Sequence, residues 1–170
     1  MKLKLLLERF ESKTPHYPNI HRGLIESLSR RKDVSISDKS DAEQFERGKA
    51  FGTYYECYMY AIMLGIKAKN RLAFDRAEGT KFLPISEWKP KQITQYIFMS
   101  LLALSEFPFE EIEDINEEQA NQKANELLYL MEGYAKGGFE ILEKKVKDDP
   151  SYFENTLNVV GFLKQSENAL

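Results

Sequence analysis

Few side chains in the sequence are of types that commonly catalyse reactions or hold metal ions. The two histidines, His16 and His21, are five residues apart in a segment that Pro18 interrupts. That spacing does not place two ligands on one helical face, and the His-x-x-x-His pattern of zinc enzymes is absent. Cys57 is the lone cysteine, and no histidine lies near it in sequence to act as its base. We therefore expect surface histidines, a buried unreactive thiol and no metal site.

An acidic run offers carboxylates of the kind that hard cations prefer. Its members are Glu110, Glu111, Glu113, Asp114, Glu117 and Glu118. The glycine-containing calcium loop is missing, and the last members sit where carboxylates favour a helix N-terminus. Gly48-Lys49 also lacks the upstream glycine and the following Ser or Thr of a phosphate-binding loop. The sequence thus predicts no cofactor and no catalytic constellation.

Basic side chains between residues 67 and 91 are candidates for binding nucleic acid. Residues 1–100 contain 18 Lys and Arg against 12 Asp and Glu, whereas residues 101–170 contain 6 against 15. Lysine and arginine contact phosphates, and a nearby tryptophan stacks on bases. A solvated loop is the alternative interpretation, and both stay open. The candidates are Lys67, Lys69, Arg71, Arg76, Lys81, Trp88, Lys89 and Lys91.

Hydrophobic spacing predicts the helices that must position these side chains. Residues 52–69 are apolar nearly all round, which is typical of a central buried helix, and Gly65 would allow close contact with a second helix. Residues 91–105 predict another apolar helix, and we expect the core to join the two. The inner face of this second helix is predicted to be Ile93, Ile97, Leu101 and Leu104.

Other elements follow from caps, prolines and shorter patterns. Helices are predicted near residues 3–10, over 20–31 with Asn19 as a cap, and over 151–164 around Phe153, Leu157 and Val160. Asn116-x-x-Gln119 has the form of a capping box and begins a helix that reaches a bend or C-cap at Gly137-Gly138. Residues 14–19 should form a loop, and a short ribbon would pair residues 33–40 with 82–85.

These patterns predict an all-α, or nearly all-α, single domain over residues 1–170, with five to seven helices and room for one two-stranded β-ribbon. The longest uncharged run, residues 92–105, is shorter than the roughly 18 residues that suggest a membrane span. The sequence start lacks the longer apolar core of a secretory signal. We therefore expect a cytoplasmic protein that has no membrane partner.

Three stretches together resemble a known family. They are FGTYYECYMYAIMLGIKAKNR (Phe51 to Arg71), the apolar helix before an acidic turn (Ile93 to Asp114), and YAKGGFEIL (Tyr134 to Leu142). They resemble small accessory proteins encoded beside bacterial DNA-phosphorothioation and related defence systems, over roughly residues 50–147. The resemblance implies an auxiliary role near DNA modification or restriction. It implies no enzymatic mechanism and assigns no site residue.

The sequence and the resemblance together favour a non-catalytic accessory protein that binds another protein. Direct nucleic-acid binding through the basic residues of 67–91 is the alternative. An enzyme that uses carboxylates alone ranks third. Both a monomer and a homo-oligomer are compatible with the sequence.

If the basic residues bind nucleic acid through phosphates, affinity should fall steeply with salt. Replacing Lys69 and Arg71 by alanine should reduce the slope of log affinity against log salt by about one unit for each residue. The measurement is titration with duplex and single-stranded DNA at low and at physiological salt. No binding at low salt would exclude this alternative.

Overall fold

The computed structural model describes residues 2–30 and 49–165 of the chain. Six α-helices lie in that part: α1 (Lys2–Glu11), α2 (Arg22–Leu28), α3 (Tyr54–Lys67), α4 (Lys91–Leu104), α5 (Glu117–Asp148) and α6 (Thr156–Gln165). Strands β1 (His16–Pro18) and β2 (Gly79–Lys81) pair antiparallel. Short 3-10 helices cover Asn19–His21, Arg76–Glu78, Ile85–Glu87, Phe109–Asp114 and Tyr152–Glu154. The predicted mostly helical fold with one small ribbon is confirmed.

The ribbon forms at a different place from the one predicted. Its first strand was predicted within residues 33–40, which lie outside the described residues. The predicted second strand, 82–85, instead follows β2 and leads into a 3-10 helix. β1 occupies the segment that its prolines predicted to be a loop. Pro18 pairs with Gly79 at the end of this strand, and the two-stranded ribbon tolerates a proline there because it has no central strand.

Side-chain caps fix the N-termini of the two central helices, α3 and α5. At α5, the Asn116 side chain accepts a hydrogen bond from the Gln119 amide at 2.9 Å, and the Gln119 side chain accepts one from the Asn116 amide at 2.9 Å. The predicted capping box is therefore confirmed. At α3, the Thr53 side chain accepts a hydrogen bond from the Glu56 amide, and the Glu56 carboxylate accepts one from the Gly52 amide. The predicted Asn19 cap is wrong, because this residue lies within a 3-10 helix and its side chain accepts a hydrogen bond from the Thr80 hydroxyl.

A close crossing of α3 and α5 sets the centre of the fold. A Cβ atom added to Gly138 would lie 1.7 Å from the Ala61 carbonyl oxygen, and one added to Gly65 would lie 2.0 Å from the Tyr134 carbonyl oxygen. The predicted role of Gly65 in close helix contact is thus confirmed. The bend or C-cap predicted at Gly137-Gly138 is wrong, since α5 continues through both glycines for 32 residues.

The predicted core needs a correction in its main helix pair. The helix with which α3 packs most extensively is α5 rather than α4. Within α4, Ile97 and Leu101 are buried as predicted, but Leu104 is 43% exposed. The buried row of α4 is instead Thr94, Ile97, Phe98, Leu101 and Leu102. The last predicted helix also differs, because Leu157 and Val160 point to solvent while Phe153 is buried.

Within residues 2–30 and 49–165, no helix combines the length and the apolar character that crossing a membrane requires.

Substituting Gly138 by alanine should destabilise the protein by about 1–3 kcal/mol or more, because the new methyl group meets the α3 backbone. Gly161→Ala in α6 is the matched control, since nothing lies within 4 Å of its added Cβ. The control should stabilise by up to about 1 kcal/mol through helix propensity. Denaturant unfolding measures both changes. Equal effects would contradict the close crossing.

Candidate functional site

Trp88 does not belong to an exposed nucleic-acid surface. Its side chain is fully buried, and the indole N–H donates to the Leu83 carbonyl at 3.2 Å. Its ring packs with Tyr58 and Phe82 in a central aromatic cluster. A ring in that position cannot stack on a base, so the prediction that Trp88 contacts nucleic acid is wrong in this structure.

The seven basic candidates differ in solvent exposure and in the contacts that their side chains make within the protein. Arg76 forms an ion pair with Glu132, and Lys91 forms one with Glu11 at 3.7 Å. Lys67 is half-buried and donates to the Lys164 carbonyl. The exposed candidates are Lys69, Arg71, Lys81 and Lys89. They are distributed along the chain from the end of α3, through the ribbon, to the start of α4. Their role in nucleic-acid binding stays a prediction.

Glu132 of α5 is the buried carboxylate of the described part of the chain, with 2% exposure. Its Oε1 accepts a hydrogen bond from the His16 backbone amide at 2.8 Å, and its Oε2 lies 3.2 Å from Arg76 Nε. A terminal guanidinium nitrogen of Arg76 lies 2.8 Å from His16 Nδ1. Burial raises the pKa of Glu132, and the His16 amide and Arg76 oppose that shift.

This cluster holds the ribbon against α5 rather than forming an exposed acid–base site. Both Glu132 oxygens already contact the ribbon region, and the carboxylate is inaccessible to solvent. His16 is only partly exposed, so the prediction of a surface histidine is wrong here. Burial, Arg76 and Lys81 lower the pKa of His16. Sequence reasoning missed the cluster because its members come from three distant segments.

His21 is also buried, which corrects the second predicted surface histidine. Its ring stacks on Phe139 with centroids 5.6 Å apart, and its side chain is 2% exposed. Neither ring nitrogen has a hydrogen-bond partner among the described residues. Burial lowers the pKa of His21, so the imidazole is neutral at pH 7. It borders a cleft of about 860 Å³ whose wall along α5 carries both lysines and carboxylates.

Cys57 lies in the middle of α3 and is fully buried, as the sequence predicted. Burial raises the pKa of its thiol to about 12. The thiolate, which is the nucleophilic form of cysteine, is therefore negligible at neutral pH. Within the described ranges, no group of three or more His, Cys, Asp and Glu side chains is arranged to hold a metal ion.

The outward face of α4 is the feature that the sequence analysis did not interpret as a site. We define this face as Gln92, Gln95, Tyr96, Met99 and Ala103, all of which are exposed. Tyr96 is 65% exposed and Met99 is 42% exposed. No charged residue occurs between Gln92 and Ser105. A helix without charged residues that is exposed on one side must present uncharged side chains to solvent. The absence of charged residues from this segment could therefore have indicated the surface from the sequence alone.

The fold and these surfaces define a small, mostly helical protein whose potentially reactive groups are mainly buried. The chain matches the family described as DNA sulphur modification system-associated protein 4 over residues 35–169. The chain belongs to this family. The match confirms the resemblance noted over residues 50–147 and extends it at both ends. No curated protein and no solved structure matches the chain.

The raised pKa of Glu132 predicts a pH dependence of stability. A carboxyl group whose pKa is higher in the folded than in the unfolded protein binds its proton more tightly in the folded state. This tighter binding stabilises the fold fully below the ordinary pKa of 4.5, and the stabilisation is lost as the pH rises through the raised pKa of the folded protein. We therefore compare the free energy of unfolding of the wild type with that of Glu132→Gln. The stability advantage of the wild type over this variant should decrease as the pH is raised from 4 to 7. Each unit of pKa elevation corresponds to about 1.4 kcal/mol.

Denaturant unfolding at several pH values measures this difference. Making the same comparison in a His16→Gln background removes the His16 titration from both proteins. A difference that increases with pH would mean that Arg76 and the His16 amide outweigh the burial of Glu132.

Proposed function

We propose that this chain is a non-catalytic accessory protein that binds another protein of the DNA sulphur modification system through the outward face of α4. The observation that supports the proposal most directly is the uncharged, solvent-exposed surface of that helix. The family match supports the association with this system. The partner and the binding surface are our inference.

The composition of the outward face is that of an interface centre. Interface centres are depleted in charged residues and enriched in tyrosine, methionine and other large side chains. Tyr96 and Met99 are three residues apart and therefore project from the same side of the helix. Ala103, four residues after Met99, continues this side of the helix toward the end of α4 and is also exposed. Large exposed apolar side chains grouped on one side of a helix commonly mark a protein-binding site.

The state of the potentially reactive groups supports a non-catalytic role. The Cys57 thiol is buried and protonated at neutral pH. The Glu132 carboxylate is buried and engaged with the ribbon. Catalysis requires a group that reaches the substrate in the correct protonation state, and neither of these groups meets that requirement.

Direct nucleic-acid binding is the second candidate, and the exposure of Lys69 and Arg71 favours it. The buried Trp88, the ion-paired Arg76 and Lys91, and the hydrogen-bonded Lys67 weaken this candidate, because four of the eight predicted contacts are already engaged within the protein.

The test is to co-express the tagged chain with the other proteins of its system and to capture it after nuclease treatment. Tyr96→Lys with Met99→Lys should weaken binding of the captured partner at least tenfold, because the change buries two charges at the interface centre. Purified proteins then give the affinities by titration calorimetry.

The matched control is Leu157→Lys with Val160→Lys, which places the same charges on two exposed apolar residues of α6. Both double variants should retain the stability of the wild type within roughly 0.5 kcal/mol for each surface change. Equal weakening by the two variants would contradict the assignment of the α4 face. Capture that disappears with nuclease treatment would favour the nucleic-acid alternative.

A further inference from the structure

The cleft beside His21 lies between the 3-10 helix Asn19–His21 and the second half of α5, and we call it the His21 cleft. Its volume of about 860 Å³ lies within the range of small-molecule sites. Pro18, Ile20 and Phe74 supply the apolar part of its wall, and lysines and carboxylates of α5 supply most of the polar part.

The imidazole of His21 is a buried polar group whose hydrogen-bonding capacity is unused. Its side chain is 2% exposed and lines the cleft, and neither ring nitrogen has a hydrogen-bond partner among the described residues. The neutral ring carries one N–H donor and one acceptor nitrogen. Buried polar groups are nearly always paired, because an unpaired one has given up its contact with water without compensation. A polar group that enters the cleft beside the ring would pair with it.

The charged side chains that surround the ring come from the wall of the same cleft. Burial has the largest effect on the pKa of His21 and lowers it, whereas Glu143 and Glu140 raise this pKa, and Lys136 and Lys147 lower it further. All four of these charged residues line the cleft. The ring and the charged wall are therefore close enough to act on one ligand.

The charges of this wall are nearly balanced, with three lysines against four carboxylates. A polyanion such as a nucleotide would bring its phosphates against the carboxylates. A simple cation would meet the lysines. A ligand that carries one charge of each sign is the class that complements both.

Glu140 and Lys144 are a pair of opposite charges on this wall that such a ligand can contact. They are four residues apart and so lie on the same side of α5, with Cβ atoms about 5–6 Å apart. Neither side chain forms an ion pair or a hydrogen bond with a described residue, whereas Lys147 on the same wall is paired with Glu143 at 3.4 Å. A carboxylate and an ammonium group therefore lie beside the His21 ring without partners in the described part of the chain.

We propose that the His21 cleft binds a small zwitterion of the α-amino-acid class. The ammonium group of the ligand faces Glu140, its carboxylate faces Lys144, and an apolar side chain packs against Ile20 and Phe74. The neutral His21 ring donates its N–H to the ligand carboxylate or accepts a hydrogen bond from the ligand ammonium group, according to its tautomer. This site is separate from the outward face of α4, on which the proposed function rests.

The test is titration of the whole chain with L-leucine, followed through the imidazole nitrogens in proton–nitrogen NMR spectra. Leucinamide lacks the carboxylate charge and 4-methylpentanoate lacks the ammonium group, so these two compounds are matched probes. We expect leucine to shift the His21 ring signals saturably and each analogue to bind at least tenfold more weakly, because each loses a charge-assisted contact. His16 does not line the cleft and serves as the internal reference.

Glu140→Gln with Lys144→Gln removes both charges from the wall and should weaken leucine binding at least tenfold. The matched control is Lys4→Gln with Glu8→Gln, which removes an exposed pair of the same spacing from α1, outside the cleft. The control should leave the affinity within about twofold of the wild type, because exposed charges far from the ligand contribute little. Thermal unfolding verifies that both variants remain folded.

A third variant, His21→Phe, keeps an aromatic ring against Phe139 and removes both ring nitrogens. It should also bind leucine at least tenfold more weakly, in this case measured by titration calorimetry. If this buried substitution prevents folding, the surface pair of Glu140 and Lys144 still decides the question.

Three results would overturn the inference while leaving partner capture by the α4 face unaffected. The first is the absence of a saturable His21 shift with leucine and with a mixture of the standard amino acids. The second is equal binding of leucine and its two singly charged analogues, which would mean that the paired charges do not select the ligand. The third is tighter binding of adenosine monophosphate than of any amino acid, which would make the cleft an anion site.

Discussion

The backbone contact between Ala61 of α3 and Gly138 of α5 is the constraint on which the rest of the structure depends. With no side chain at Gly138, the two helices lie close enough for α3 to be buried on nearly all sides. The same contact fixes α5 as the long central support of the fold. Glu132 lies on α5 less than two turns before Gly138, and its carboxylate holds the ribbon through His16 and Arg76.

This arrangement places the potentially reactive groups inside the protein and leaves uncharged and acidic surfaces outside. Cys57 and His21 are buried, and the Arg76–Glu132 pair is a packing contact between α5 and the ribbon region. By contrast, α4 buries one side and exposes the other along its whole length. A protein built in this way is suited to binding a partner, which is the role that we propose within the DNA sulphur modification system.

The elements that the sequence predicted well are those that depend on local patterns. The capping box at Asn116 and the apolar character of α3 arise from residues close together in the chain, and both are confirmed. The errors came from contacts between distant segments. Gly137-Gly138 has the sequence of a helix end, but the contact with α3 makes glycine necessary in the middle of a helix. The buried Trp88 and the paired Arg76 likewise depend on partners that no local pattern reveals.

The candidate surface was visible in the sequence as an uncharged run, but its exposure depends on which helix packs against α3. Oxidation of Met99 by dilute hydrogen peroxide, followed residue by residue by mass spectrometry, reports that exposure directly. Met59 and Met131 are buried and serve as internal references. Our account predicts that Met99 oxidises readily in the free protein and is protected severalfold by the captured partner. Oxidation of Met99 at the same rate in the free protein and in the complex would contradict the account.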